Sequence, residues 1–386
     1  MKIEAKYDLI IAGGGLSGLS LAWYLARGGY KGQVLVVDST FAPLNDKTWC
    51  FWTEREPPFK DIIYKRWKKT WVSVLDYSTF RYLSDYTYYC IRSGDFREHV
   101  LRELRKHNNF DLLEENILDF SSNKNKAILL TKNGDSYLAN YIFQSVMKPK
   151  ELDESNIKYP LLQHFLGWEI ETTEPAFDPE TFTIMDFDKE FSPGVGFMYM
   201  LPYTSTNALF EFTAFSEEIL PKKEYKQKIR NYLYHTYGLD KEHYEITRKE
   251  FGVIPMQDWP HIPFYENNIM NLGAVGGQTK PSTGYTFTRI QDYTQQLAHN
   301  LIQGFDPLPP KKSKFKYRYY DLLLLHILSN STEDSLRVFR SLYKKNSLDE
   351  IFRFLGEDTS FAQDLKIMSS VPYTPFFKAI GHNLKR

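Results

Sequence analysis

A chain of 386 residues is long enough for two domains and a large buried core. Its 48 Lys+Arg and 48 Asp+Glu cancel, which removes the global attraction that nucleic-acid-binding proteins show, and no nucleic-acid partner is expected. Two cysteines, Cys50 and Cys90, and nine histidines without HxxxH or HExxH spacing argue against a disulfide scaffold and a structural zinc. We therefore expect no metal and a reducing compartment. The N-terminus, MKIEAKYDLIIAGGG, lacks signal-peptide shape, because its apolar run is short and leads directly into glycines. No run approaches the ~18 apolar residues of a membrane span. The greasiest short piece, DLLLLHIL at 321–328, is interrupted by His326. A soluble or peripheral protein is expected.

In chain order, the first signal is also the strongest. Leu9–Ala12 reads as a short buried strand, followed by Gly13-x-Gly15-x-x-Gly18 and then by helix spacing at Leu19, Ala22, Leu25 and Ala26. In this pattern Gly13 allows the tight turn, Gly15 lets backbone approach a pyrophosphate, and Gly18 lets helix and strand pack closely. Gly14 and Ser17 belong to the same turn and complete its cofactor-binding set. A second strand, QVLVVD, ends at Asp38, where a carboxylate can accept hydrogen bonds from an adenosine ribose. Strand, glycine turn, helix, strand and terminal acid in this order define a dinucleotide site. The early position and the long chain beyond it favour FAD over NAD.

The chain changes character at 150–265. GWEIETTE, TFTIMDFD, GFMYMLPY and ALFEFTAFS read as strands of an antiparallel sheet, separated by turn residues such as Asp178-Pro179 and Ser192-Pro193-Gly194. A helix over Glu224–Tyr237 and the segment YEITRKEFGVIPM follow. In NALFEFTAFSEE, alternation puts Ala208, Phe210, Phe212 and Ala214 on one face and Leu209, Glu211, Thr213 and Phe215 on the other. Glu211 is then either a carboxylate on a wet face or a general acid in an apolar pocket, and the strand alone leaves both open.

Residues 268–291, NIMNLGAVGGQTKPSTGYTFTRIQ, read as strand, glycine-rich turn and helix. Backbone N–H groups at Gly276, Gly277, Thr283 and Gly284, with Gly273 opening the turn, are expected to face a phosphate or an anionic flavin ring. From Pro307 the chain is helical, and Ser347-x-x-Glu350 is a capping box opening IFRFLGED. PPKKSKFKYRYY, 309–320, is basic and aromatic and suits either contact with anionic lipid or a solvated linker. The expected division is a FAD-binding domain over 1–149 and 266–305, a sheet domain over 150–265 and a helical region over 306–386. The fold class is α/β: a Rossmann-type FAD-binding domain with an inserted antiparallel-sheet substrate domain and a helical C-terminal region.

Together these pieces resemble the lycopene β-cyclase family, flavoproteins that close the ionone rings of carotenoids. The similarity runs through DLIIAGGGLSGLSLA, NDKTWCFW at 45–52, FLGWEIET, FDPETFTIMDF, YMLPY leading into ALFEFTAFS, FGVIPM, GAVGGQTKPSTGYTF and the tail IFRFLGEDTSFAQDLKIMSSVP. The resemblance implies that Glu211, the first acid of the family's Leu/Ile-Glu-acid-Thr box, is the essential acid. The second acid of that box is Phe212 here, and Lys47 replaces the histidine often found after the acid of the acid-x-Thr-Trp box. The resemblance further implies a redox-neutral isomerisation that nevertheless requires reduced FAD and NAD(P)H, with a carotenoid substrate drawn from a membrane. A cytoplasmic protein, peripheral on that membrane, is expected. Apolar neighbours would keep the Glu211 proton in place, and Asp186, in MDF, is the second-rank acid or base. The rival readings are a flavin monooxygenase, a prenyl-type reductase and a non-catalytic lipid-binding protein. Against hydroxylation, Gly273-Ala274 stands where such enzymes carry Gly-Asp, and no Asp-Gly motif falls near 140–150.

Overall fold

A computed structural model describes residues 3–123, 125–148, 154–258 and 262–384. The expected boundary at 149/150 lies outside the described residues. The chain opens with β1 (Ile3–Ala12), α1 (Leu16–Arg27) and β2 (Val34–Asp38). Next come β3 (Thr48–Thr53), β4 (Lys65–Trp67), β5 (Lys69–Val74), β6 (Tyr77–Tyr82), β7 (Thr87–Arg92) and α2 (Ser93–Leu104). Four strands follow: β8 (Phe110–Glu114), β9 (Ile117–Ser122), β10 (Ala127–Thr131) and β11 (Ser136–Gln144).

β1 lies parallel between β11 and β2, and β8 flanks β2. The run Leu9–Ala12 is buried on both faces, as a central parallel strand between helices requires, which is why it reads as continuous rather than alternating. The late strands β17 (Phe264–Glu266) and β18 (Ile269–Asn271) join the same sheet, β18 lying parallel to β11. The eight-stranded sheet therefore runs β17-β18-β11-β1-β2-β8, with β10 and β9 attached through β11. Helix α4 (Phe287–Ile302) packs on α1, where Gln291 donates to Ser20 at 2.9 Å.

The middle of the chain builds a seven-stranded sheet from β12 (Leu161–Thr172), β13 (Thr181–Asp188), β14 (Val195–Pro202), β15 (Asn207–Ser216) and β16 (Tyr244–Met256), with helix α3 (Lys222–Tyr237) before β16. Its order is β16-β12-β15-β14-β13-β5-β6. One point corrects the expected division: β5 and β6 come from within 1–149 yet extend this second sheet, β5 running parallel to β13. The alternation of KTWVSV marks β5 as a strand with one buried face, but nothing local in it specifies which sheet it joins.

α3 covers one face of this sheet, over Phe210, Phe212, Met198 and Leu166. The other face is covered by a small sheet, β3-β7-β4, and by the tail helices α5 (Phe315–Asn330), α6 (Thr332–Lys345) and α7 (Leu348–Leu355). Helices α8 (Phe361–Ser370) and α9 (Tyr373–Leu384) complete the chain. The Ser347/Glu350 capping box opens α7, a contribution of about 1 kcal/mol. Asp349 then accepts the N–H groups of Ser84, Asp85 and Tyr86, pinning the tail to the turn before β7. β15 is thus central and buried on both faces, so Glu211 has no wet face to occupy.

Candidate active site

At the nucleotide end the glycine pattern does what close packing demands. A Cβ on Gly18 would stand 1.9 Å from the Gly13 carbonyl oxygen, and Gly13 itself has φ +114°. A Cβ on Gly15 would meet nothing within 4 Å, so open space lies before the first turn of α1, whose leading N–H groups have no partner within the helix. Asp38 accepts the Gly14 N–H with one oxygen and Ser39 Oγ and Thr40 N with the other. It therefore braces the glycine turn from the end of β2.

The second glycine segment closes on the same place. A Cβ on Gly273 would meet Ser17 Oγ at 2.8 Å, which sets this loop against the start of α1. The expectation for its amides is corrected. Gly276 N donates to Leu272 and Gly273, Gly277 N to Ala274, and both Thr283 N and Gly284 N to Lys280, at 2.9–3.2 Å. Consecutive tight turns consume these donors, so the loop offers shape in place of free N–H groups. Beside Gly284 lies Gln163, whose Oε1 is buried and unpartnered among the described residues, as is Gln278 Nε2 next to Gly273. Open space at Gly15, a helix N-terminus and two unsatisfied side-chain amides fit a bound dinucleotide.

Glu211 is 8% exposed and faces the side of the sheet shared with Leu209 and Phe215. In the cross-strand row, Tyr199 of β14 stands on one side of it and Gly167 of β12 on the other, with Glu250 of β16 beyond Gly167. A Cβ at 167 would meet Glu250 Cγ at 2.9 Å and Oε1 at 3.3 Å, so the missing side chain is the gap across which Glu250 reaches Glu211. Thr213 donates to Glu211 Oε1 at 3.1 Å. Glu250 Oε2 accepts from Arg248 at 2.7 Å and from Thr48 at 3.0 Å, and Arg248 also holds Glu169 at 2.7 Å. Burial, then the charge and hydrogen bond of Glu250, push the Glu211 carboxyl well above the usual carboxylate range.

A packed aromatic cluster adjoins the acid. Tyr88 hydroxyl lies 2.9 Å from the hydroxyls of both Tyr199 and Tyr285. Trp52 packs edge-on against Tyr285 at 4.4 Å and stacks on Phe352 at 4.4 Å. Tyr285 follows Gly284, so the second glycine loop delivers a ring to this cluster, where its hydroxyl meets that of Tyr88.

Asp186 is not brought to Glu211. It pairs with Met198, which pairs with Phe212, so it lies on the α3 face, where Tyr232 donates to it at 2.9 Å. Burial raises its pKa, with the Tyr232 bond opposing. The same alternation explains Phe212: a strand neighbour of Glu211 points through the sheet, so an acid there could not share its pocket. Glu250, Arg248 and Thr48 were missed as site residues. Thr48 stood in the acid-x-Thr-Trp box, but nothing in YEITRKEFGVIPM marks Glu250 before the strand order is known.

A glycine turn at the edge of α1, closed by a second glycine loop and set against an antiparallel sheet, defines a Rossmann-type FAD-binding fold with an inserted antiparallel sheet. Two solved structures share it. One is a geranylgeranyl bacteriochlorophyll reductase-like protein from Thermoplasma acidophilum, with TM-score 0.70, 14% identity and 97% and 98% of the two chains covered. The other is the flavin-dependent brominase Bmp2, with TM-score 0.62, 14% identity and 99% and 100% covered. The chain belongs to the lycopene cyclase family: the family model described as Lycopene cyclase protein matches residues 8–380. It is 23% identical to a lycopene beta-cyclase of Pseudescherichia vulneris over 96% of both chains. It is also 22% identical to a chloroplastic neoxanthin synthase of Solanum tuberosum, over 78% of this chain and 61% of that one.

Proposed function

We propose that this protein is a FAD-dependent lycopene β-cyclase that closes ψ-ends to β-ionone rings without net redox change. The observation that carries the reading is a buried Glu211, its carboxyl pushed well above the usual carboxylate range by burial and by Glu250, beside an aromatic cluster that Tyr285 of the second glycine loop completes. Glu211 would transfer its proton to the terminal double bond of the polyene. The next double bond closes the ring on the resulting cation, and loss of a ring proton restores neutrality, so substrate and product share one composition. The faces of Tyr88, Tyr199, Tyr285 and Trp52 would each contribute on the order of 1–2 kcal/mol to a nearby cation. Exclusion of water by the surrounding core protects that cation from capture.

FAD would be held by Gly13, Gly14, Gly15, Ser17, Gly18 and Asp38, with Gly273, Gly276, Gly277, Thr283 and Gly284 shaping the opposite wall. When bound and kept reduced by NAD(P)H, it would supply negative charge beside the cation. Anaerobic incubation with lycopene, FAD and NADPH tests the reading. Cyclised ends at unchanged mass support it, and added oxygen or hydrogens would turn it towards a monooxygenase or prenyl reductase.

The substrate is apolar, and we place its delivery at a membrane surface. Among the described residues no helix is long and apolar enough to cross a membrane. Phe315 is 73% exposed beside Lys311, Lys312, Lys314 and Arg318, and Phe361 is 68% exposed on the adjoining α8. Lys316 ties these elements by donating to Thr359 at 3.0 Å. A cleft of about 1390 Å³ runs from this basic segment past Leu322 and Leu325 to the second glycine loop, a route for a long polyene. Replacing Lys311, Lys312 and Lys314 by Gln is expected to weaken binding to phosphatidylglycerol vesicles on the order of 100-fold, at about 1 kcal/mol per basic residue. Vesicle flotation reads this out, and equal binding by both proteins would refute the docking surface.

A further inference from the structure

Within the cyclase reading, on which this rests, we infer that Glu250 is a positioning residue for Glu211: the two carboxyls share one proton across the gap left by Gly167. Three features fix the arrangement. Glu211, Gly167 and Glu250 lie in one cross-strand row, on three adjacent strands, so their side chains leave the sheet on the same side. Gly167 contributes no side chain, Glu250 folds into the space its Cβ would take, and the two carboxyls are within hydrogen-bonding reach of each other. Glu250 Oε2 is committed to Arg248 and Thr48, and Glu211 Oε1 accepts from Thr213, which leaves the facing oxygens for the shared proton.

Two carboxylates held this closely out of water cannot both ionise, so one proton stays with the pair. Arg248 holds the Glu250 carboxyl in a buried ion pair at 2.7 Å, which leaves Glu211 as the member without a cationic partner. The proton is thereby stored on Glu211, the member beside Tyr199 and the aromatic cluster, and Glu250 acts on the substrate only through it. In spatial terms Glu250 supplies the second acid that Phe212 does not. It does so from β16, because residue 212 points through the sheet.

The other titratable groups around the pair are Tyr199 of β14, Cys50 of β3, Tyr88 and Cys90 of β7, and Tyr203 and Tyr285 from flanking turns. Arg248 and Glu169 form the ion pair behind Glu250. Burial pushes Tyr88, Tyr199, Tyr203, Tyr285 and Cys90 upward, in the direction that keeps each of them neutral.

Infrared difference spectra of the flavin-loaded protein across a pH series test this without needing turnover. The wild type should show the C=O stretch of a protonated carboxyl at neutral pH, Glu211→Gln should lack it, and Glu250→Gln should lose it on the order of one pH unit lower. The sign follows from removing a like charge, which lets Glu211 ionise more readily. The high-pH fall of cyclisation should move the same way in Glu250→Gln. An unshifted carboxyl band in a folded, flavin-bound Glu250→Gln protein would overturn the pairing. Shifted bands without cyclisation in any variant would instead leave the pair standing and reject the cyclase reading.

Discussion

Glu211→Gln is expected to retain its fold and flavin while its cyclisation rate falls on the order of 10²–10⁴-fold, the usual contribution of a positioned general acid. Gln is nearly isosteric with a protonated Glu. Its amide can accept from Thr213 and donate towards Glu250, so the core around Leu209 and Phe215 has no reason to rearrange. What it lacks is a proton that can be given to carbon. Product chromatography alongside the bound-flavin spectrum separates the two effects. Asp186→Asn provides the contrast. Its carboxyl lies on the α3 face with Tyr232, so cyclisation should stay within a few-fold of wild type. A fully active Glu211→Gln protein would remove the acid from the account.

Gly18→Ala should have the second largest effect, this time on the cofactor. The added Cβ would lie 1.9 Å from the Gly13 carbonyl oxygen, and Ile11 Cγ2 at 3.1 Å closes the other side. Neither atom belongs to a flexible side-chain tip, so α1 must move away from β1. Overpacking of this kind costs about 1–3 kcal/mol, and here it also displaces the helix N-terminus that fronts the open space at Gly15. Loss of copurifying flavin together with a lowered melting temperature is the expected result. Normal flavin occupancy in Gly18→Ala would show that the dinucleotide does not depend on this turn. Gly15→Ala is the milder comparison, because its Cβ meets nothing in the protein itself and would affect flavin content without affecting stability.

The two halves of the site differ in how much of them the sequence displays. The nucleotide turn is local: strand, glycines and helix are contiguous, and Gly18 answers contacts with Gly13 and Ile11 of the same segment. Glu211 was visible as a candidate, a lone carboxylate among Leu209, Phe210, Phe212 and Phe215, but the strand alone left a wet face open to it. Its burial depends on β15 standing between β12 and β14 with both faces covered. Glu250 was not legible. Its relation to Glu211 depends on β12 lying between β15 and β16, in a register that places Gly167 between the two acids. The role of Gly167 was hidden for the same reason, since FLGWEIET gives no cue that its glycine is a gap between carboxyls. Asp186 shows the converse. Its motif drew attention, while the parity of strand pairing puts it on the α3 face, opposite Glu211. The β5–β6 hairpin likewise joins β13 by long-range pairing that no local pattern encodes.

The central claim is that a protein-derived proton starts a redox-neutral ring closure. Turnover of lycopene in deuterated water, with reduced flavin and without oxygen, tests it most directly through the mass spectrum of the product. The account predicts a cyclised product carrying one deuterium for each ring closed, at the carbon that received the proton, and a product of unchanged mass in ordinary water. A product that has gained oxygen or a pair of hydrogens in ordinary water, or a cyclised product free of deuterium, would contradict it.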